Sequence, residues 1–223
     1  MDAKSEILSR IRTALGPDRT PVDVPRTYTR TTPETDDIPT LFATRAADYQ
    51  ARVRRVTAQP TLAGPGGPTA LIPFDPVPVA AAITDLLKTT HVRSLVVPAD
   101  FPEALLPQDN YVIRRDDPPL PVADLDTTDA VLTGCAAAIA ETGTIILNAG
   151  PLQGRRALTL IPDTHLCLVR ADQIVGTVPE ALSTVDATAP LTWISGPSAT
   201  SDIELHRVEG VHGPRTLLIL IID

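Results

Sequence analysis

The 223-residue sequence predicts an α/β fold, in which a mixed, mostly parallel sheet is covered by helices and preceded by an N-terminal helical arm. Two observations predict it. Most apolar segments after residue 90 are short, aliphatic on both faces and bounded by Gly, Pro, Asp or Asn, which is typical of strands in a covered sheet. Helical spacing separates only some of these segments, so several strands should follow one another directly.

The first 60 residues are expected to form a helical arm with a Pro-rich linker. Apolar residues recur at helical spacing over residues 2–15, and a Gly-Pro pair follows them, which predicts a short amphipathic helix. Residues 17–39 contain five prolines and should be extended. An apolar stripe over residues 41–58 predicts a second helix.

Residues 61–223 are expected to form a single α/β domain. The spacing predicts a helix over residues 77–90. The predicted strands lie at residues 94–97, 111–113, 130–132, 144–147, 157–161, 166–169, 191–194 and 217–222.

Composition excludes several classes of partner. The net charge is −8, and the acidic excess lies entirely after residue 60, so this body should repel the phosphate backbone of nucleic acid. Aromatic residues make up 3% of the chain, which leaves few surfaces on which bases can stack. No apolar run approaches the roughly 18 residues that span a membrane. We therefore expect a cytoplasmic protein that binds neither nucleic acid nor membranes.

The segment AIAETGT, residues 138–144, carries the candidate catalytic group. Glu141 precedes a predicted strand, and a carboxylate held there can act as a base, a nucleophile or an anchor for a ligand. Thr142, Gly143 and Thr144 would bind the ligand beside it. The alternative is that Glu141 is a solvated turn residue.

Two adjacent arginines, Arg155 and Arg156, are the second candidate. Within an acidic body, a guanidinium group suits a carboxylate or phosphate, which it binds in bidentate fashion. The alternative is an exposed pair that bridges to nearby acids and contributes little. If the two residues lie in a strand, their side chains point in opposite directions and only one can face a site.

A hydroxyl-rich loop after the strand predicted at residues 191–194 is the third candidate. Ser201 and Glu204 have the spacing of a capping box, which predicts a short helix that ends near residue 210. A loop that leads into a helix presents backbone N–H groups to an anion, although the cap can also be purely structural. The candidate ligand-binding residues here are Gly196, Ser198, Ser201, Asp202, Glu204 and His212.

Other motifs are absent from the sequence. The four histidines lack the spacing of a metal site, and no G-x-S-x-G, P-loop or G-x-G-x-x-G motif is present. Two cysteines are too few to hold an iron–sulfur cluster unaided. We expect the chain to bind no metal and no cofactor.

These segments together carry a family resemblance. The residues that carry it are Thr133-Gly134, the AIAETGT segment, Pro162, His165, Gly196-Pro197-Ser198, the SDIE segment at 201–204 and the GVHGP segment at 210–214. In combination they resemble the LUD family, in its lactate utilization protein C type. The resemblance implies a fold similar to ribose-phosphate isomerase and CoA-transferase domains.

The resemblance also implies a function. It suggests a component of a system that oxidises L-lactate to pyruvate, in which partner proteins carry iron–sulfur clusters. This chain would then be an accessory subunit without a redox centre, and it would bind a small carboxylate or phosphate. Two alternatives remain open: a stand-alone isomerase or acyl/CoA-transferase-like enzyme that uses Glu141, and a ligand-sensing module without chemistry.

Overall fold

Two packed sheets form the centre of the protein. A computed structural model describes residues 2–16, 24–28, 30–32, 37–60, 72–107, 109–200, 208–209 and 212–223. The larger sheet has six strands in the order β1-β12-β7-β4-β2-β3, and every neighbouring pair is parallel. Its strands are β1 (Arg52–Val56), β2 (Ser94–Val97), β3 (Val112–Arg115), β4 (Ala130–Thr133), β7 (Thr164–Arg170) and β12 (Thr216–Ile222).

The second sheet is mixed and has four strands in the order β8-β5-β6-β9. The pairs β5-β6 and β6-β9 are antiparallel, whereas β5 and β8 are parallel. The strands are β5 (Ala137–Ile139), β6 (Thr144–Leu147), β8 (Ile174–Val175) and β9 (Thr192–Ile194). A short antiparallel pair, β10 (Ala199–Thr200) with β11 (Val208–Glu209), follows β9. The α/β prediction with a mostly parallel sheet is confirmed.

Five α-helices and three short 3-10 helices connect the strands in the described residues. The helices are α1 (Ala3–Leu15), α2 (Ile38–Asp48), α3 (Pro76–Lys88), α4 (Val122–Asp126) and α5 (Val178–Thr184). The 3-10 helices are Glu103–Leu105, Arg156–Thr159 and Ala171–Gln173.

The six-stranded sheet is covered on both faces. On one face, Leu166 of β7 shares a buried cluster with Ile83 of α3. On the other face, Cys167 packs in a cluster with Phe42 of α2 and Ile145 of β6. The order of layers is therefore helix, six-stranded sheet, and then the four-stranded sheet with α2. This burial on both faces explains why the central strands β12, β7 and β4 are mainly aliphatic.

The predicted helix over residues 41–58 is wrong in its second half. The helix α2 ends at Asp48, Gln50 adopts a positive φ of 70°, and the chain then enters β1. β1 lies at the sheet edge, where Arg54 and Arg55 reach the acidic groups of Asp85 and Asp223. Both α2 and β1, which the sequence placed in the arm, thus pack with the α/β body.

Two further elements differ from the sequence prediction. Residues 157–161 were predicted as a strand, but Arg156–Thr159 forms a 3-10 helix that buries Leu158 against Val96 and Val131. The helix predicted after Ser201 is wrong at its end, because Val208 and Glu209 form a strand; residues 201–207 lie outside the described residues. The sequence pattern also missed β5, β8, α4 and α5.

The N-terminal segment contacts the body through residues 30–32. The backbone N–H and the hydroxyl of Thr32 each donate a hydrogen bond of 2.9 Å to the Glu180 carboxylate. The Thr177 hydroxyl donates to the Arg30 carbonyl at 3.2 Å. The hydrogen bond from the Thr32 N–H makes the largest contribution, and together with those from the Thr32 hydroxyl and from the N–H and hydroxyl of Thr177 it lowers the pKa of Glu180 to about 2. Residues 30–32 are therefore docked at the start of α5.

α1 differs from this docked segment because it has no buried residue. Its apolar side chains, including Ile7, Ile11 and Leu15, are exposed. Among the described residues, none of the helices combines the length and hydropathy that a membrane span requires.

Candidate functional site

A cavity of about 250 Å³ lies between the two sheets. Its walls include His165 at the start of β7, Leu217 at the start of β12 and the strand β9. The rest of the lining comes from the 3-10 helix at Arg156–Thr159, the loop after β9 and residues 212–214. The cavity therefore exists because the second sheet packs against one face of the first.

His165 is the most deeply buried polar group of this cavity. Its side chain is 1% exposed, and its Nε2 atom lies 2.8 Å from the hydroxyl of Thr133 on β4. Its Nδ1 atom is buried and has no hydrogen-bond partner among the described residues. Burial, with a smaller contribution from the Arg156 charge, lowers the pKa of His165 to about 3. The imidazole is therefore neutral near pH 7, and its Nδ1 has no hydrogen bond from the described residues.

Arg156 supplies the positive charge of the cavity. Its Nη1 donates to the hydroxyl of Thr159 at 3.0 Å. Within the part of the chain that the structure describes, Arg156 forms no ion pair with a carboxylate. The side chain reaches solvent, yet partial desolvation lowers its pKa. A guanidinium without a carboxylate at a cavity wall is suited to an anion.

Arg155 has a different role. Its Nε and Nη2 donate to the two oxygens of Asp116 at 2.8 and 3.0 Å, and Nη2 also donates to the Leu120 carbonyl at 2.6 Å. The hydrogen bond from Arg155 lowers the pKa of Asp116 below its usual value. Of the two candidate arginines, Arg155 is thus held in an internal ion pair, whereas Arg156 lines the cavity.

The loop after β9 forms one wall. Gly196 has φ 79°, and a Cβ there would lie 2.4 Å from the Tyr49 carbonyl oxygen, so the close packing on the end of α2 requires glycine. The Ser198 N–H donates to the Pro214 carbonyl at 2.9 Å, and the Ser198 hydroxyl accepts from the His212 N–H at 3.0 Å. Gly196, Ser198 and His212 all line the cavity. The other candidates of this segment, Ser201, Asp202 and Glu204, lie outside the described residues.

The ETGT turn reaches this loop through hydroxyl groups. The Thr144 hydroxyl lies 2.7 Å from that of Thr142 and 2.7 Å from that of Ser195, which lines the cavity. Gly143 has φ 58°, and a Cβ there would lie 2.5 Å from the Ala46 nitrogen, so the turn packs closely on α2. The turn therefore supports the cavity wall without lining the cavity itself.

Glu141 lies apart from the cavity. Glu141 is exposed, and its backbone N–H donates to the Gly176 carbonyl at 3.0 Å. It is not among the residues that line the cavity. The structure thus brings Arg156, Gly196, Ser198 and His212 together. It places Arg155 with Asp116, and it leaves Glu141 on the outer side of the turn.

Sequence reasoning did not propose several lining residues as site residues, among them His165, Thr159 and Ser195. His165 is the second residue of β7, next to its apolar run, and a histidine at that position was the available signal. Its partner Thr133 is 32 positions away, so only the packed sheet shows that one imidazole nitrogen is satisfied and the other is not.

The arrangement can bind a small anion. Among the described residues it offers the guanidinium of Arg156, the neutral imidazole of His165, a second histidine, His212, and several hydroxyl groups, which match a carboxylate together with a neighbouring hydroxyl or carbonyl. Among the described residues, no group of three or more His, Cys, Asp or Glu side chains could hold a metal ion.

Known proteins resemble this chain over different lengths. The sequence model of the LUD domain matches residues 123–222. Lactate utilization protein C of Deinococcus radiodurans is 44% identical over 229 residues, covering 99% of this chain and 96% of that protein. Lactate utilization protein C of Bacillus pumilus is 37% identical over 93 residues, or 38% of each chain.

A solved structure shows the same fold. The crystal structure of a DUF162 family protein from Deinococcus radiodurans aligns with a TM-score of 0.64 and 40% identity, covering 83% of this chain and 96% of that chain. The 44% identity to lactate utilization protein C of Deinococcus radiodurans extends over nearly the full length of both proteins. The chain therefore belongs to the LUD domain family, in its lactate utilization protein C type.

Proposed function

We propose that this protein is a component of an L-lactate utilization system, and that it binds a small carboxylate in the cavity between the two sheets. The relatives named lactate utilization protein C support the role in lactate utilization. The ligand-binding role is supported by the cavity itself. In this proposal the chain is an accessory subunit that carries no redox centre.

The observation that carries the binding proposal is the buried Nδ1 of His165, near the Arg156 charge, which has no hydrogen-bond partner in the described part of the chain. A buried polar atom without a partner costs roughly 1–3 kcal/mol, so a protein retains one mainly where something else satisfies it. If Thr133 donates to Nε2, then Nδ1 carries the proton and donates; in the other tautomer Nδ1 accepts. A hydroxyl on the ligand suits either state because it can both donate and accept.

Charge favours a carboxylate over a phosphate. Among the described residues, Arg156 is the one arginine in the lining; the histidines there are His165, whose neutral ring adds no charge, and His212. A singly charged carboxylate is neutralised by one guanidinium. A doubly charged phosphate would leave a negative charge in a partly desolvated cavity, which is unfavourable. A 2-hydroxycarboxylate such as L-lactate, with its carboxylate on Arg156 and its hydroxyl near His165, matches these groups.

The low cysteine content is the reason why the proposal includes partner proteins. An iron–sulfur cluster is commonly held by four cysteine thiolates, and this chain has two cysteines, both buried. In the proposal, iron–sulfur proteins of the same system therefore accept the electrons of lactate oxidation. This chain would contribute binding and positioning of the acid.

The role in the system can be tested in cell extracts. An extract that lacks only this protein, with its partner proteins present, should oxidise L-lactate more slowly than the complete extract. Adding the purified protein should restore the rate, while the purified protein alone should form no pyruvate. An undiminished rate in the deficient extract would contradict the proposed role.

Ligand binding can be tested separately by calorimetry with L-lactate and inorganic phosphate. Arg156→Gln should weaken lactate binding at least tenfold, because the carboxylate loses its charged partner. Arg54→Gln removes the same charge from the exposed edge strand β1 and should leave lactate binding unchanged. Equal loss in both variants, or phosphate binding more tightly than lactate, would contradict the assignment of this cavity to a carboxylate.

A further inference from the structure

A second cavity adjoins the first at Arg156. It has a volume of about 350 Å³, and the two cavities share Arg156, Thr159 and Thr192 as lining residues. The second cavity extends from this boundary along Leu147 and Leu191. The side chain that supplies the positive charge therefore lies where two compartments meet.

The two compartments differ in chemical character. The first contains the buried imidazole of His165 and the hydroxyl of Ser198. The second is lined mainly by apolar atoms, with contributions from Leu147, Pro190 and Leu191. Arg155 also borders the second compartment, but its charge is neutralised by both oxygens of Asp116.

We propose that the ligand of this site is a 2-hydroxycarboxylic acid with an apolar chain longer than that of lactate. This inference rests on the proposed function and extends it. The carboxylate binds Arg156, the 2-hydroxyl binds in the His165 compartment, and the carbon chain enters the compartment along Leu147 and Leu191. A three-carbon acid occupies only the first compartment and leaves the second one empty.

The combined volume of the two compartments supports a ligand longer than lactate. Ligand pockets of proteins commonly measure about 300–1,000 Å³. The first cavity, at about 250 Å³, lies just below that range, whereas the two compartments together fall within it. The apolar lining of the second compartment matches a hydrocarbon chain, because burying each methylene group strengthens binding by about fourfold.

A series of 2-hydroxy acids tests the inference directly. L-Lactate, 2-hydroxybutyrate, 2-hydroxyhexanoate and 2-hydroxyoctanoate would be titrated into the full-length protein by calorimetry. The dissociation constant should fall by up to about fourfold for each added methylene, until the second compartment is filled. Arg156→Gln should weaken every member of the series, because the carboxylate contact is common to all.

Variants of the second compartment separate chain recognition from head-group recognition. Leu191→Ser should remove most of the dependence on chain length and leave lactate binding unchanged. Leu182→Ser, at an exposed leucine of α5 outside both cavities, is the matched control and should keep the full dependence. Because Leu191 also packs against a buried cluster, the uncharged change Pro190→Ser at an exposed position provides a second variant with the same expected result. Thermal melting would confirm that each variant is folded.

The outcomes distinguish the two proposals. Affinity that rises with chain length in the wild type, and no longer does so in Leu191→Ser or Pro190→Ser, supports the inference. Lactate binding with no gain for longer acids overturns the inference and leaves the proposed function intact. Failure of every acid to bind overturns both the inference and the proposed carboxylate site.

Discussion

The two faces of the six-stranded sheet differ in polarity. The face that packs on α3 is aliphatic, with Leu166 and Leu218 fully buried in it. The face that packs on the second sheet carries Thr133 and His165, which are also buried. Because burial of a polar group is costly unless its hydrogen bonds are satisfied, the two faces serve different purposes. Both faces bury apolar clusters that stabilise the fold, and the second face also contributes His165 to the cavity.

Removing a side chain from the aliphatic face should have the largest effect on stability. Leu166→Ala leaves a cavity beneath α3 and should lower the free energy of unfolding by about 2–5 kcal/mol, as measured by urea denaturation. Leu182→Ala, at an exposed leucine of α5, should change it by less than about 0.5 kcal/mol. A loss below about 1 kcal/mol for Leu166→Ala would show that this face is not the main source of stability.

Acid should destabilise the protein through the polar face. The unfolded chain protonates His165 below about pH 6.5, whereas burial in the folded state lowers its pKa to about 3. The unfolded state therefore binds more protons between these values, and stability falls as the pH falls. The contribution of His165 should approach about 1.4 kcal/mol per pH unit between pH 6 and 4. Urea denaturation across this range, compared with a variant that lacks His165, measures it.

Replacing both members of the buried polar pair should separate stability from binding. Exchanging two hydrogen-bonded partners for apolar groups of similar shape is often nearly neutral. His165→Leu combined with Thr133→Val should therefore change the free energy of unfolding by no more than about 1 kcal/mol at pH 7. Its affinity for lactate, measured by calorimetry, should fall at least tenfold. A folded double variant that still binds lactate normally would remove His165 from the site.

A change outside the cavity should have the smallest effect. Glu141 is exposed on the turn and does not line the cavity, so Glu141→Gln should leave lactate affinity unchanged. Its free energy of unfolding should shift by less than about 0.5 kcal/mol. Loss of binding in this variant, detected by the same calorimetric titration, would favour the alternative in which Glu141 acts on the ligand.

The strands buried on both faces were the most predictable elements. Continuous apolar runs gave the bounds of β2 and β6 because, after the first residue of each strand, the side chains are apolar and buried on both faces. β1 was mistaken for part of a helix because its valines are spaced among arginines that reach outward from a sheet edge. An edge strand has weaker requirements for apolar residues, so its pattern is ambiguous.

The site was less predictable than the sheet. The sequence offered two adjacent arginines but no means of choosing between them, because the partner of Arg155 is Asp116, 39 positions earlier. Asp116 follows a different strand and meets Arg155 only in the folded chain. For the same reason the unpartnered nitrogen of His165 could not be inferred from its neighbours in sequence. Local patterns identified suitable chemical groups, and long-range packing decided which of them face the cavity.

The helix α2 has a consequence for how this protein can be dissected. The turn at Gly143 packs on Ala46, and the loop at Gly196 packs on Tyr49. The C-terminal end of α2 therefore supports both segments. The LUD domain model matches residues 123–222, which include neither α2 nor the strands β1, β2 and β3 of the larger sheet. The portion that the LUD domain model matches is therefore smaller than the portion that forms and supports the cavity walls, and we expect a recombinant version to need α2 in order to assemble the cavity.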